Sequence, residues 1–430
     1  MKSALRKKRF IHRLAICIAA LSVYLAGCSG NMESPPSAEG PDNSPTVEGP
    51  SPDTDSPDSP AVEAPSPDTS LPDSAAAEGL PEPSDPAAPT EDFERDPCTT
   101  AFVIDRTLAE AVRVNLGLPD DMPLTEEFAA SVTELFLWEG PRIRTLTGIS
   151  NFTSLERLVV QETDCNDIGE LALIPSLISI DISWGYITEI PDFSTCPNLT
   201  GLRLPANCVT DVTPLCKAPS LRFVDLNNND ISSVARLKDM TFLDHLCLDG
   251  NGVTDYAAIR DSRPLRQAID AGSQSSVAYA LETEERAKSI VWEQTDASMT
   301  PEEKLIKLYA YIIDHVAYDE GGRQSRPFGY WALCQGKGVC GDYAEGLCLL
   351  ARHAGLTCRV VSSETHAFNA VELDGKWYLL DTLWDDTAGD GPTDARTWIY
   401  FGFTTETAFE DPDHVYDTKR FPVSEQTFQS

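Results

Sequence analysis

The chain has 430 residues and carries 33 Lys and Arg against 68 Asp and Glu, which gives a formal charge of −35. This length exceeds that of one ordinary domain and fits two or three. Nucleic-acid binding requires clustered basic side chains that neutralise phosphates, so the acidic composition argues against a nucleic acid as a partner.

The N-terminus is typical of a secretory signal. A basic segment precedes an apolar run that ends in Leu25-Ala26-Gly27-Cys28. The run is shorter than the roughly 20 residues of a membrane-spanning helix and fits a signal peptide. Its end resembles a bacterial lipobox, which implies cleavage of residues 1–27 and lipidation of the Cys28 thiol. We therefore expect a chain lipid-anchored at the extracellular face of the bacterial cell membrane; an ordinary secretory signal with an incidental Cys28 is the alternative.

Residues 28–97 have the composition of a tether. Between Ser29 and Pro97 lie 17 acidic residues and 16 of the 31 prolines of the chain, and Arg95 is the single basic residue. Such a segment buries too little apolar surface to offset the entropy of ordering, so we expect a disordered acidic linker.

A repeat occupies residues 132–260, after a predicted helical cap at residues 98–131. Its period of 22 residues is marked by Leu155, Leu177, Leu199, Leu221 and Leu243. Apolar residues recur three and five positions after each of these, and Asn recurs eight positions after the last three. The pattern LxxLxLxxN resembles the leucine-rich repeat. Because one copy cannot bury its own apolar face, the copies are expected to stack into an α/β solenoid.

The outward residues of the predicted strands form a candidate binding face. We expect this face to take a protein or glycan ligand, and a spacer without a ligand is the alternative. The candidate residues are Arg157, Trp184, Arg203, Phe223 and His245.

Cysteine spacing gives no sign of a metal site. Of 12 cysteines, no two have the CxxC spacing, and no arrangement of Cys and His is typical of zinc. Several occupy positions that suit a small apolar residue, so we expect buried free thiols there. No calcium-loop pattern is present either, and we expect neither a metal nor a cofactor.

A different pattern follows the predicted connector, residues 261–279. Thr300-Pro301-Glu302-Glu303 predicts the start of a helix through a capping box with Pro at the first helical position. A Gly-rich stretch then leads to Cys340, and the apolar spacing beyond it predicts a helix that begins there. The helix dipole and the free amides at such a start lower the pKa of a thiol, so Cys340 is a candidate nucleophile.

Three strands are predicted next, over residues 357–362, 366–373 and 376–381. Asp374-Gly375 is a two-residue hairpin signal, which sets Leu373 opposite Lys376. Extended further, this register sets His366 opposite Leu383 and makes His366 and Asp381 diagonal neighbours on one face. A Cys, a His and an Asp brought together in this way form a nucleophile, a base and its orienting partner.

Three sequence blocks carry a family resemblance. They are Gly336-Lys337-Gly338-Val339-Cys340-Gly341-Asp342-Tyr343-Ala344, His366-Ala367-Phe368-Asn369 and Trp377-Tyr378-Leu379-Leu380-Asp381. Residues 280–425 resemble the bacterial transglutaminase-like domain, and the resemblance includes a late His414. It implies a papain-like α+β fold with Cys340 as nucleophile, His366 as base and acid, and Asp381 as orienting group. The predicted fold class is therefore multidomain, an α/β leucine-rich-repeat solenoid followed by this α+β domain.

The oxyanion site is less well specified. The backbone N–H of Cys340 is a natural donor. Gln335, Tyr330 and Trp331 are candidate side-chain donors, and packing around the nucleophile helix is the alternative for each.

We expect a surface-anchored cysteine acyl-transfer enzyme that acts on amide bonds of proteins or of cell-wall peptides, with the repeats binding a partner or the substrate. Water as acceptor gives a protease or amidase and an amine gives a transglutaminase, and the sequence does not choose between them. The alternative is a non-catalytic, adhesin-like surface protein that binds through its repeats and carries a degenerate triad domain.

Overall fold

The structure is a computed structural model that describes residues 96, 102–272, 276–319, 329–387, 398–425 and 427. All of these residues lie in one structural unit, residues 81–430. The predicted signal peptide, Cys28 and the predicted linker up to residue 95 lie outside the described residues. Within the described ranges, no helix is both long enough and apolar enough to cross a membrane.

Two helices, α1 (Arg106–Leu116) and α2 (Glu126–Ser131), precede the repeats. The strands of the repeats are β1 (Glu134–Leu137), β2 (Arg157–Gln161), β3 (Ser179–Ser183), β4 (Gly201–Arg203), β5 (Phe223–Asp225) and β6 (His245–Cys247). They form one parallel sheet in chain order, and equivalent residues of successive copies pair, as Leu158 does with Ile180 and Ile180 with Leu202. This arrangement fits the solenoid that the 22-residue period predicts.

The recurring asparagines join neighbouring repeats. The amide nitrogen of Asn229 donates to the carbonyl of Leu204 at 2.8 Å, and its amide oxygen accepts the N–H of Val209 at 2.9 Å. Asn251 makes the equivalent bonds to the repeat before it. Each asparagine is buried, so it satisfies backbone groups that would otherwise lose their water without a replacement partner.

The cysteines of the described residues are free thiols. Nine lie within these residues, and none of the nine forms a disulfide. Six of them are buried, among them Cys165, Cys196 and Cys247 in the repeats. They fill small apolar positions, as the sequence predicts.

The C-terminal part combines helices with a four-stranded antiparallel sheet. Its helices are α3 (Arg263–Gly272), α4 (Val277–Gln294), α5 (Pro301–His315), α6 (Tyr330–Gln335), α7 (Cys340–His353), α8 (Thr382–Thr387) and α9 (Thr405–Ala408). Its strands are β7 (Ala317–Tyr318), β8 (Lys337–Gly338), β9 (Thr357–Ser362), β10 (Ala367–Leu373), β11 (Lys376–Leu380) and β12 (Phe401–Phe403). The sheet order is β12-β11-β10-β9, and β7 pairs with β8. Helix α3 packs on β6 at the end of the solenoid.

Helix α7 is the centre of this part. It packs on β9 and β10 and is flanked by α4, α5 and α6. Its apolar side chains, including Tyr343, Leu347 and Leu350, are buried. The predicted capping box holds the start of α5, because the Thr300 N–H donates to the Glu303 carboxylate at 2.8 Å and the Glu303 N–H donates to the Thr300 hydroxyl at 3.2 Å.

The hairpin of β10 and β11 has the predicted register near its turn and departs from it further on. Leu373 pairs with Lys376 and Asn369 with Leu380, around positive φ angles of 50° and 73° at the two turn residues. The ladder ends at Leu380, because the chain turns into α8 at the next residue but one. The predicted pairing of His366 with Leu383 is therefore wrong.

Arg352 joins the C-terminal part to the repeats. Its guanidinium donates through Nη1 to the carbonyls of Asn251 at 2.8 Å and of Gly252 at 2.7 Å, and through Nε to the carbonyl of Cys358 at 2.9 Å. Gly252 has a φ of 64°, and a Cβ there would come within 2.7 Å of Nη1. Glycine thus permits the approach of the guanidinium.

Candidate active site

Cys340 lies at the first position of α7, where the backbone N–H groups are free of helical partners. The side chain is half-buried. Burial alone would raise the pKa of the thiol, but the hydrogen bond and charge of His366 outweigh it, and the N–H groups of Ala367 and Gly341 add to the effect. The pKa of Cys340 therefore lies below its ordinary value, which favours the nucleophilic thiolate.

His366 stands immediately before β10 and is buried. Its Nε2 lies 2.6 Å from Oδ2 of Asp381, so Nδ1 is the nitrogen left for the thiol of Cys340. Burial alone would lower the pKa of His366, but the hydrogen bonds to Asp381 and to Cys340 raise it to about 9. An imidazole so placed holds a proton at neutral pH.

Asp381 occupies the turn between β11 and α8. Its Oδ1 accepts the backbone N–H groups of Leu383 at 3.0 Å and Trp384 at 3.1 Å, as a helix-capping carboxylate does. Burial opposes its charge, but the hydrogen bonds from His366 and His414 keep its pKa below the ordinary value. The carboxylate is thus held ionised, with Oδ1 bound to the backbone and Oδ2 turned to the imidazoles.

His414 brings a second imidazole to Asp381. Its Nε2 lies 2.9 Å from the same Oδ2, and the residue is 1% exposed. Its ring stacks at 5.3 Å on Tyr400 and meets the ring of Trp384 edge-on at 4.7 Å. The family resemblance alone indicated this residue, since 33 positions and no local pattern connect it to Asp381.

Tyr309, on α5, contacts the backbone carbonyl of Asp381, and the sequence interpretation did not include it. Its hydroxyl lies 2.8 Å from the carbonyl oxygen of Asp381 and 2.5 Å from Oδ2 of Asp385. Tyr309 shares a helix face with Leu305 and Ile312, so the helical spacing gives a signal for its burial but none for its hydroxyl partners.

The three candidate oxyanion side chains lie in or at the end of α6. The amide of Gln335, which is exposed, donates to the hydroxyl of Tyr330 at 3.2 Å. Tyr330 also packs edge-on against Tyr279 at 5.1 Å, and the ammonium of Lys337 lies over the ring of Trp331 at 5.7 Å. These contacts join the three side chains to one another or to their neighbours, and a role as oxyanion donor stays a prediction for each of the three.

The outward face of the solenoid holds the other candidates. Arg157, Phe223 and His245 occupy one row across the strands, and the last two rings are 5.7 Å apart. Arg203 bridges the carboxylates of two neighbouring strands at 3.3 and 3.4 Å. Trp184 is 64% exposed just beyond β3 and has a positive φ of 58°.

The imidazoles of His366 and His414 and the carboxylate of Asp381 also form a potential metal-ligand set, with donor atoms within 4.8 Å of one another. The sequence predicted no metal. The nitrogen-to-oxygen distances of 2.6 and 2.9 Å are those of charge-assisted hydrogen bonds. We therefore interpret the cluster as a hydrogen-bonded network.

Comparison with known proteins places this site in a family context. Residues 288–382 match the Transglutaminase-like superfamily. This transglutaminase-like domain contains Cys340, His366 and Asp381, whereas His414 lies beyond the matched residues.

Over 143 residues the chain is 28% identical to the kyphoscoliosis peptidase of Homo sapiens, a match that covers 28% of this chain and 22% of that protein. The Mus musculus protein matches with the same identity and coverage. The chain thus spans less than a quarter of the length of these relatives. An internalin structure from Listeria monocytogenes is 28% identical over 36% of this chain and 45% of its own, with a TM-score of 0.33.

Proposed function

We propose that the transglutaminase-like domain is a cysteine acyl-transfer enzyme that acts on amide bonds of proteins or peptides. The observation that carries the proposal is the continuous contact from Cys340 through His366 to Asp381. The pKa of the thiol is lowered and that of the imidazole is raised to about 9, and both shifts favour the thiolate–imidazolium pair.

The reaction follows from these two protonation states. The thiolate of Cys340 attacks the amide carbon and forms a carbon–sulfur bond, and the carbonyl electrons move to oxygen. When the intermediate collapses, the carbon–nitrogen bond breaks and His366 gives its proton to the leaving amine. A thioester remains, and His366 is neutral and able to act as a base.

The acceptor completes the cycle. Water or a primary amine gives its proton to His366 and attacks the thioester, and the carbon–sulfur bond then breaks. Water yields a carboxylic acid, and an amine yields a new amide cross-link. Both routes restore the thiolate of Cys340 and the imidazolium of His366, so access to the site decides which acceptor reacts.

The test uses the full chain beside its Cys340→Ala variant. Both are incubated with a panel of unstructured proteins and a biotinylated primary amine. Mass spectrometry then scores new termini, deamidated glutamine and amine incorporation. Any of these products in the wild type and their loss in the variant support the proposal. Equal products from both proteins contradict it.

We further propose that the repeats bind the protein or glycan partner of the enzyme. The exposed Trp184 and the row of Arg157, Phe223 and His245 support this role, because aromatic and Arg side chains dominate binding surfaces. A purely adhesin-like protein predicts instead that Cys340→Ala leaves every function of the chain intact, which makes the same variant the discriminating measurement.

The basic segment, the apolar run and the residues up to Cys28 support a lipid anchor at the extracellular face of the membrane. Metabolic labelling with a radioactive fatty acid, compared with Cys28→Ala, tests this location.

A further inference from the structure

The segment that carries His414 has contacts on two sides. On one side, Nε2 of His414 is hydrogen-bonded to Oδ2 of Asp381, and the His414 ring packs edge-on against Phe368 with the ring centroids 5.1 Å apart. Phe368 and Tyr416 belong to the same buried cluster, which also includes Phe421. Residues 414–421, which we name the bridging segment, therefore lie against the strand that follows His366.

On its other side, the bridging segment is bound to the repeats. Asp417 accepts a hydrogen bond of 2.6 Å from the hydroxyl of Tyr186. Arg420 donates to two repeat carbonyls, that of Asn207 at 3.2 Å and that of Asn228 at 2.6 Å.

These contacts engage three successive repeats, and a fourth is reached by Lys419, whose ammonium lies 3.4 Å from the carboxylate of Asp164. The bridging segment also contains a turn, in which the N–H groups of Arg420 and Phe421 both donate to the carbonyl of Asp417 at 3.1 Å. Residues 417–421 are therefore a short, internally bonded stretch of chain that connects the repeats to His414.

The position of His414 matters because Oδ2 of Asp381 is the oxygen that also orients His366. With Oδ1 bound to two backbone N–H groups and Oδ2 to two imidazoles, both carboxylate oxygens have fixed partners. Removing one imidazole leaves Oδ2 with a single side-chain partner and frees the carboxylate to tilt. A tilted carboxylate no longer aligns the ring of His366 with the thiol of Cys340.

We propose that His414 is a positioning residue for the triad and that the leucine-rich repeats hold it against Asp381 through the bridging segment. This inference rests on the proposed function, because the triad is what His414 would position. It makes the repeats part of the catalytic apparatus, so a ligand that shifts the repeats at Tyr186 or Asn228 would alter the reactivity of Cys340.

The first test measures the rate at which iodoacetamide alkylates Cys340 as a function of pH. The full chain is used, and mass spectrometry of the peptide that contains Cys340 separates its signal from those of the other thiols. His414→Phe keeps an aromatic ring and removes the donor, so we expect the pKa of Cys340 to rise and the rate at neutral pH to fall about tenfold. His414→Gln keeps a donor near the position of Nε2, and we expect it to recover most of the rate.

If His414→Phe does not fold, His414→Asn takes its place, because its shorter amide ends before the position of Nε2. A folded variant without the donor that alkylates like the wild type contradicts the positioning role. A His414→Gln variant as slow as His414→Phe also contradicts it.

The second test addresses the repeats. We expect Arg420→Ala combined with Tyr186→Phe to slow alkylation of Cys340 severalfold, and to add little when His414→Phe is also present, because all three act through one contact. Asp230→Asn is the matched control. It removes an ion pair of 3.7 Å between Arg359 and the repeats that does not involve the bridging segment, and we expect no change in rate.

If the variant with both Arg420→Ala and Tyr186→Phe is alkylated at Cys340 at the wild-type rate, the role of the repeats is contradicted. An equal loss of rate in Asp230→Asn also contradicts it. Alkylation needs no substrate, so these outcomes are independent of the substrate panel. A wild type that transfers no acyl group contradicts the proposed function, and an unchanged profile in the His414 variants contradicts the positioning role.

Discussion

The side-chain amide of Asn369 donates a hydrogen bond of 2.8 Å to the backbone carbonyl of Ala344. Asn369 lies on β10, three residues after His366, and Ala344 lies on α7, four residues after Cys340. The bond therefore joins the strand of the base to the helix of the nucleophile. Asn369 is fully buried, so this bond is shielded from water.

Asn369→Ala should both destabilise the domain and weaken the triad. It removes the bond and leaves a buried carbonyl with one partner fewer, for which we expect a loss of about 1–3 kcal/mol in the free energy of unfolding. Urea denaturation measures the loss, and Asn115→Ala is a control because three of the four hydrogen bonds of its amide lie at the exposed surface. If Asn369→Ala lowers the free energy of unfolding no more than the control does, the bond between Asn369 and Ala344 does not have the stabilising role given to it here.

Asp381→Asn should be far more damaging than its small change in shape implies. All four groups that contact the carboxylate are placed to donate: the N–H groups of Leu383 and Trp384, and the imidazoles of His366 and His414. An amide presents its NH2 group to one of these pairs, donor against donor.

We expect a decrease in kcat/KM on the order of 10²-fold or more, together with a loss of about 1–3 kcal/mol in the free energy of unfolding. Asp386→Asn, which alters a neighbouring carboxylate outside the triad, is the control. Full activity in Asp381→Asn would show that Asp381 does not act as a carboxylate.

The rate should fall on the alkaline side as His366 loses its proton. Because the pKa of His366 is raised to about 9 by Asp381 and Cys340, against burial, we expect kcat/KM to decline near that pH. A variant in which the bond between His366 and Asp381 is weakened should show this decline in kcat/KM, the alkaline limb of the pH profile, at lower pH. A limb that starts near pH 6.5, the ordinary value for imidazole, would contradict the assigned contacts.

The same shift has a consequence for stability. A pKa that is higher in the folded state means that protonation of His366 favours folding. This contribution is complete below the unfolded pKa of about 6.5 and disappears as the pH rises through about 9. Thermal denaturation of wild type and His366→Ala between these values measures it, and the difference between the two proteins should shrink with rising pH.

Arg352→Ala should loosen the repeats from the transglutaminase-like domain. The change leaves the carbonyls of Asn251, Gly252 and Cys358 without the guanidinium, at an expected cost of about 2–3 kcal/mol. Chemical denaturation of the variant should then show two transitions instead of one. Limited proteolysis should cut the chain near residue 272 faster than in the wild type. Arg142→Ala, which removes an exposed ion pair, is expected to cost less than about 0.5 kcal/mol. Equal costs would contradict the role given to Arg352.

The sequence was most informative where a local pattern determines geometry. The 22-residue period predicts the pairing of Leu158 with Ile180, and Asp374-Gly375 predicts the pairing of Asn369 with Leu380. It was less informative where distant segments meet. Asp381 follows its strand and begins a helix, and nothing in the alternation of β11 shows where pairing stops.

Contacts with backbone carbonyls leave no trace in the side-chain pattern, which is why Arg352 and Arg420 were not predicted to join the two parts. The hydroxyl contacts of Tyr309 were missed because helical spacing reports only that a side chain is buried.

The most direct test of the account is to look for an acyl group on Cys340. The full chain is mixed with p-nitrophenyl acetate, a small acyl donor that needs no specific binding, and is then quenched in acid for peptide mass spectrometry. We predict a burst of nitrophenol and an acetyl thioester on Cys340 that hydroxylamine removes, with neither present in Cys340→Ala and both much slower in His366→Ala. Labelling of the exposed Cys216 in preference to Cys340, or an equal burst from His366→Ala, would contradict a triad in which His366 activates the thiol.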